Sequence, residues 1–179
     1  MGFSFCYYEE RMIKMNLNEY TEKPFVHFAE DWAILTAGVP DDFNSMTVSW
    51  GALGTMWGMP VAFLVVRPIR YTCEFIERHE KLTLSWYDEK HKKALGIFGS
   101  KSGRDTDKAA ATGFTPVTLE GAVTYKEAKE TMVLRKLFVQ QLDRSKFSQE
   151  ILKWYAEGTK EEHAHKLIIA EVLSHHEGV

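Results

Sequence analysis

The sequence predicts a mainly β protein, a barrel or sandwich carrying short helices. Three observations predict it. Most apolar segments are short and bounded by Pro, Gly or Asp. Several alternate apolar and polar residues with the two-residue period of a half-buried strand. The helical stretches fall between these segments without the regular alternation that builds a parallel α/β sheet. With 179 residues, 45% hydrophobic and 26% charged, the chain is long enough to bury a core without disulfide or metal support. Prolines and glycines are scattered as punctuation, so one domain is expected over residues 1–179, with 1–14 a ragged N-terminal extension or Met15 the true start.

The elements follow in order. Residues 31–39 (DWAILTAGV) read as a strand ended by Pro40, Asp41 and Asp42. Residues 45–50 alternate as a second strand. Residues 61–66 (VAFLVV), an apolar run between Pro60 and Pro68, read as a buried one. Thr72 is placed to cap a helix from Cys73 to about Arg78, with Glu74 in its first turn. Residues 82–87 form a strand, Asp88 caps a helix to about Ile97, and Asp105 opens another that stops near Gly113. Residues 117–125 and 166–173 are strands. Residues 131–142 (TMVLRKLFVQQL) fit both a helical face and a half-buried strand, and propensity alone favours helix.

Charge and cysteine content narrow the function. The net charge is −3 and the pI near 6.2, against the basic excess of a protein that grips nucleic acid. No apolar run approaches the ~20 residues that span a bilayer, so no membrane role is expected. Glu9, Glu10, Arg11 and Lys14 interrupt the start, which gives no signal peptide. Cys6 and Cys73 lie far apart and form no zinc pattern, as suits a reducing cytoplasm.

Four segments carry candidate chemistry. In the first, Arg67, Arg70 and Thr72 precede a helix start, where free N–H groups and a partial positive charge favour an anion. Alone, it also reads as a capping threonine with two solvated arginines. In the second, Ser100, Lys101, Ser102, Gly103, Arg104 and Lys108 combine glycine-permitted turns with hydroxyls and cations, without the spacing of a Walker loop. Two such turns in one small domain point to a phosphorylated ligand. The third, Asn44, Ser45, Met46, Thr47, Val48 and Ser49, sets small polar groups between apolar ones ahead of Gly51, Gly54 and Gly58. Glycine lets a flat ligand approach the backbone, and a flavin ring needs backbone partners along its edge. The GxGxxG fingerprint is missing, which excludes a Rossmann site. The fourth is the pair His163 and His165, two apart and therefore on one side of a strand. Without a Cys or carboxylate pattern they give no metal site, and a single His at a ligand pocket is the better functional reading. No GxSxG elbow or activated cysteine supports nucleophilic catalysis.

Taken in order, residues 44–50 (NSMTVSW), the Pro-bounded strand, residues 67–72 (RPIRYT), residues 100–108 (SKSGRDTDK) and the late strand 165–172 (HKLIIAEV) resemble the flavin reductase-like family of FMN-binding split-barrel proteins, its flavoredoxin branch most closely. The resemblance covers about residues 31–173. It implies a six-stranded split barrel working as a homodimer, and it makes 131–142 a strand. It implies FMN as cofactor, with residues 44–49 along the ring and ribityl chain. Arg67, Arg70, Thr72, Ser100, Lys101, Ser102 and Lys108 would lie about the phosphate. His165 would lie near the open ring face where NADH or NADPH docks. Ala170 stands where the family usually has Gly, and His163-Ala164 stand for the usual Gly-Asp. The implied activity is NAD(P)H-dependent flavin reduction, with electrons passed to free flavin, an iron complex or a protein acceptor. The alternative is an FMN-binding electron carrier or redox sensor with little nicotinamide turnover.

Overall fold

The computed structural model describes residues 13–14, 23–159 and 164–178. Met15, Cys6 and His163 lie outside the described residues. So does most of the expected 1–14 extension, but Ile13–Lys14 forms a short strand, β1, beside the end of the last strand. The order continues with α1 (Pro24–Val26), β2 (Ala33–Val39), β3 (Asp42–Val48), β4 (Gly51–Met56), β5 (Met59–Val66), α2 (Thr72–Arg78), β6 (Lys81–Trp86) and α3 (Lys92–Ser100). Then come α4 (Lys108–Thr112), β7 (Pro116–Leu119), β8 (Ala122–Tyr125), β9 (Glu130–Gln141), α5 (Gln149–Trp154) and β10 (Lys166–Glu177). The fold is mainly β with short helices, as expected.

An eight-stranded antiparallel sheet runs β3-β2-β6-β9-β10-β5-β4, with β1 added to β10. Its two end strands, β3 and β4, are neighbours in sequence with only Ser49 and Trp50 between them. Such a link spans at most about 11 Å from Val48 to Gly51. The sheet therefore curls until its two ends approach at the Ser49-Trp50 link, where β3 and β4 are joined but not laddered, which makes a split barrel with its seam there. Six strands had been expected. The two extra are β1 and the glycine-bearing segment 51–56, which pairs with β5 throughout.

Tight turns explain further departures from the sequence reading. Trp57 and Gly58 (φ 55° and 75°) join β4 to β5, and Glu120 and Gly121 (φ 50° and 78°) join β7 to β8. Both central residues of each turn are left-handed, the geometry that matches strand twist in two-residue hairpins. Residues 117–125, expected as one strand, are thus the hairpin β7–β8 lying apart from the main sheet. Residues 131–142 belong to a strand despite their helix propensity. β9 is laddered to β6 on one side and β10 on the other, and its first five residues are buried. Pairing on both edges outweighs a few tenths of a kcal/mol of propensity per residue.

Capping is redistributed. Thr72 does not cap α2; Tyr71 precedes the helix, and the Thr72 hydroxyl is used elsewhere. Asp88 stands ahead of a short 3₁₀ turn without a side-chain cap bond. Asp107, not Asp105, caps α4, accepting from the Ala110 N–H at 3.0 Å.

The core gathers Leu35, Met46, Val48, Leu64, Ile76 and Leu84 inside the barrel. Beside it lies a charged polar knot. His27 Nε2 stands 3.0 Å from Glu130 Oε1, and His175 Nε2 stands 2.8 Å from Glu130 Oε2. His27 also stacks on Trp86 at 4.0 Å and faces Asp31 at 3.4 Å. Burial pushes the Glu130 carboxyl up, but hydrogen bonds from the two imidazoles outweigh it and hold the group at about 2.

Candidate functional site

The two cationic turns, remote in sequence, meet in space. Arg70 Nη1 donates to the Gly99 carbonyl at 2.6 Å. Arg104 pairs with Glu74 of α2 and lies over the Tyr71 ring at 4.4 Å. The loop after α3 is thus pinned to the start of α2.

Strand β3 runs beside this junction. Asn44 Nδ2 donates to Thr72 Oγ1 at 2.7 Å, which occupies the hydroxyl read as a helix cap. Thr47 Oγ1 donates to the Leu95 carbonyl at 2.5 Å. Ser45 Oγ shares hydrogen bonds with Thr36 Oγ1 at 2.9 Å and Tyr125 OH at 2.8 Å. Alternation sends Met46 and Val48 into the core. Their side chains are therefore not available to a ligand, and what they offer is backbone. β3 is an end strand of the sheet, laddered to β2 on one side.

Lys108 is the electrostatic centre. It is 7% exposed, and its ammonium donates to two carbonyls, Ser45 at 2.8 Å and Phe98 at 3.2 Å. Burial, and then the nearby Arg70 charge, push its pKa down to about 8. A buried ammonium beside a guanidinium, bonded to neutral oxygens, is a position where an anion gains on arrival.

Beside this cluster lies a groove of about 1050 Å³, lined by Asn44, Ser45, Gly103, Arg104, Lys108 and Tyr125 among others. Gly103 is required there by close approach. A Cβ on it would meet Asn44 Oδ1 at 2.0 Å, and Asn44 is held by Thr72. Gly103→Ala is expected to displace Asn44 and to cost about 1–3 kcal/mol of stability through overpacking. A urea midpoint equal to that of the parent protein would show that the contact yields freely.

The structure thus brings together Asn44, Ser45, Arg70, Thr72 and Lys108 of the sequence candidates. Thr47 and the half-buried Ser49 continue the same strand toward the seam. Ser102 lies in the loop, its hydroxyl accepting from the Arg104 N–H at 3.2 Å. Of the residues predicted to hold FMN, only Asn44, Ser45 and Lys108 line the groove; Arg67, Arg70, Thr72, Ser100, Lys101, Ser102 and residues 46–49 do not. The Arg67 carbonyl instead accepts from Cys73 Sγ at 3.1 Å. His165 is also outside the groove. It is 3% exposed, stacked on Trp50 at 4.7 Å and bonded through Nδ1 to Tyr155 OH at 2.7 Å, so it presents no open face.

Sequence reading missed Tyr125 and Thr36, the partners that fix Ser45, because hydroxyl contacts between distant strands leave no spacing signal. It counted Arg104 among the cations of residues 100–108 but did not set it about the phosphate, whereas the structure lines the groove with it.

An FMN phosphate suits the buried Lys108 ammonium, which donates to two neutral carbonyls, Ser45 and Phe98, beside a groove wide enough for a ligand. Comparison with curated protein sequences finds no match to this chain. Solved structures resemble it at low identity. An FMN-binding domain of a flavin reductases-like enzyme from Shewanella baltica gives a TM-score of 0.66 at 14% identity, covering 96% of this chain and 80% of that one. A flavoredoxin from Methanosarcina acetivorans gives 0.63 at 18%, covering 91% and 73%. The styrene monooxygenase flavin reductase of Pseudomonas putida gives 0.58 at 18%, covering 81% and 77%. These likenesses concern the fold. The family model for the flavin reductase like domain matches residues 25–178, nearly the whole described chain, and by that match the protein belongs to the flavin reductase-like family.

Proposed function

We propose that the protein binds FMN in this groove and works as an NAD(P)H-dependent flavin reductase, a homodimer in the cytoplasm. The observation that carries the reading is Lys108, a buried ammonium beside Arg70 whose two bonds go to carbonyls. Its charge and that of Arg70 neutralise a phosphate dianion. Thr72, through Asn44, and Gly103 keep the floor of the cradle in shape. β3 supplies backbone groups along the seam, suited to the polar edge of a ring. When bound, FMN supplies the hydride and electron chemistry that side chains of this chain do not offer. β4 is the other end strand of the sheet and mostly bears small residues, and an end strand open on one side suits cover by a second copy. Cys73 fits a reducing compartment, since it is a buried thiol pushed up to about 11 by burial.

The test is titration of the protein with FMN, followed by anaerobic addition of NADH or NADPH. Bound FMN that bleaches on mixing supports the reductase. Bound FMN that stays oxidised with both nicotinamides favours the carrier or sensor alternative, and no FMN binding sinks the reading. The affinity has an expected pH profile. A bound dianion raises the Lys108 pKa above its free value of about 8. Protons are therefore taken up on binding above that pH, and affinity falls by up to about tenfold per pH unit there. A flat profile from pH 7 to 9.5 would remove Lys108 from the site.

A further inference from the structure

The buried ammonium of Lys108 takes its place from two carbonyls, Ser45 at 2.8 Å and Phe98 at 3.2 Å. One side chain touches both of the residues that bear them. Tyr125 brings its OH to 2.8 Å from Ser45 Oγ, and its ring meets the Phe98 ring edge to face at 5.2 Å. Ser45 itself stands opposite Thr36 in the β2–β3 ladder, with the two hydroxyls 2.9 Å apart. Tyr125 is 2% exposed, and Phe114 also packs against it, at 5.8 Å. Among the described strands, β8 pairs with β7 alone. Its distance from β3 is therefore set by side chains such as this one rather than by a backbone ladder. Ser45, Phe98, Lys108 and Tyr125 all line the groove.

We propose that Tyr125 is a positioning residue of the anion seat: by holding Ser45 through its hydroxyl and Phe98 through its ring, it fixes the two carbonyls that aim the Lys108 ammonium. The proposal rests on the FMN reading for the anion that the seat takes, and on the distances alone for the link to Lys108. An ammonium has three N–H donors. Two go to these carbonyls, so the placing of the carbonyls decides where the third points and where a phosphate meets it. A charge-assisted bond to an anion is short, and a seat misplaced by more than about 0.5 Å loses much of its gain. Lys108 and Tyr125 come from different elements, α4 and β8, and both close on Ser45. The tyrosine bond joins neutral groups, and burial pushes the phenol up, so it outlasts the titration of Lys108. Phenylalanine would fill the same space beside Phe98 and Phe114. What the hydroxyl adds is a fixed place for Ser45, at the cost of burying a polar atom.

The variants are Tyr125→Phe, which keeps the ring and deletes the hydroxyl, and Ser45→Ala, which deletes Oγ and keeps the carbonyl. The probes are FMN and riboflavin, which carries the same ring and ribityl chain without the phosphate. Tyr125→Phe weakens FMN binding by about tenfold, the loss of one well-placed bond, and riboflavin binding by less than about twofold. Ser45→Ala does the same. The double variant is no weaker than either single one, because both break one link. A third measurement needs no ligand. The titration of the Lys108 ammonium, followed by NMR, moves up in Tyr125→Phe from about 8 toward 10.5, because a looser wall admits water to the charge. Equal losses for FMN and riboflavin overturn the proposal, since the hydroxyl would then shape the groove as a whole. Unchanged FMN affinity, additive losses in the double variant, or an unmoved Lys108 titration also overturn it. Should Tyr125→Phe fail to fold, Ser45→Ala carries the same three measurements. Should the parent protein bind neither flavin, the FMN reading fails, while the Lys108 titration still decides whether Tyr125 acts on that charge.

Discussion

Lys108→Met is expected to weaken FMN binding by about 10- to 100-fold, the loss that accompanies removal of a charge-assisted hydrogen bond to an anion. Methionine keeps length and apolar volume, so the helix start and the groove wall remain filled. The folding side of the same substitution has the opposite character. Lys108 titrates at about 8 in the folded protein against 10.5 in free solution. A lysine with a depressed folded pKa opposes folding at neutral pH, and that opposition fades as pH rises through the interval from 8 to 10.5. Removing the charge therefore relieves a desolvation penalty while breaking two bonds to carbonyls. These act against each other, and stability at pH 7 is expected to stay within about 1 kcal/mol of the parent. Two measurements check this: isothermal titration with FMN, and a urea melt without it. A variant that binds FMN as tightly as the parent would show that the phosphate lies elsewhere. A variant that has lost several kcal/mol would make Lys108 a structural post.

The contrast between Lys108 and His165 shows what the sequence reading reached. The turns holding Arg70 and Lys108 were legible because glycine, hydroxyl and cationic residues cluster there at short range, a local signal of an anion seat. That the turns face one another was not legible from spacing. The resemblance supplied it, and in the structure the two segments touch through the Arg70 bond to the Gly99 carbonyl. His165 was legible as a residue of interest, but its environment was not. Trp50 and Tyr155 come from other elements, and nothing in residues 163–172 announces that two aromatics cover the ring. The fold follows the same division. Pro-bounded and alternating segments gave β2, β3, β5, β6 and β10. Residues 131–142 defeated propensity because their strand form depends on two neighbouring strands far away in sequence. Segment 51–56 went unread because Gly51 and Gly54 are poor strand formers, and only pairing with β5 makes them one.

The same long-range origin makes Glu130 consequential for stability. It opens β9, and its two oxygens face His27 from the segment before β2 and His175 from the end of β10. One carboxylate thus joins three parts of the chain at 5% exposure. Its pKa of about 2 means that the folded state holds the ionised form more firmly than the unfolded chain does. For a depressed carboxyl, the linked stabilisation is fully present above the unfolded value of 4.5 and is lost as pH falls through that value toward 2. The shift corresponds to about 3 kcal/mol. Glu130→Gln preserves shape and removes the charge; the amide carbonyl can still accept from one buried imidazole, but the other then faces an N–H₂ donor. It is expected to cost about 3–5 kcal/mol at pH 7, the usual loss on breaking a buried pair from one side. The separating measurement is stability against pH. Between pH 4.5 and 2.5 the parent loses stability with a slope that includes one extra proton, and the Gln variant lacks that part of the slope. The two curves therefore converge toward acid, because protonation does to the parent what the substitution has already done. Parallel curves would show that the loss at pH 7 comes from packing around the amide rather than from the charge, and would strip the His27–Glu130–His175 knot of its electrostatic role.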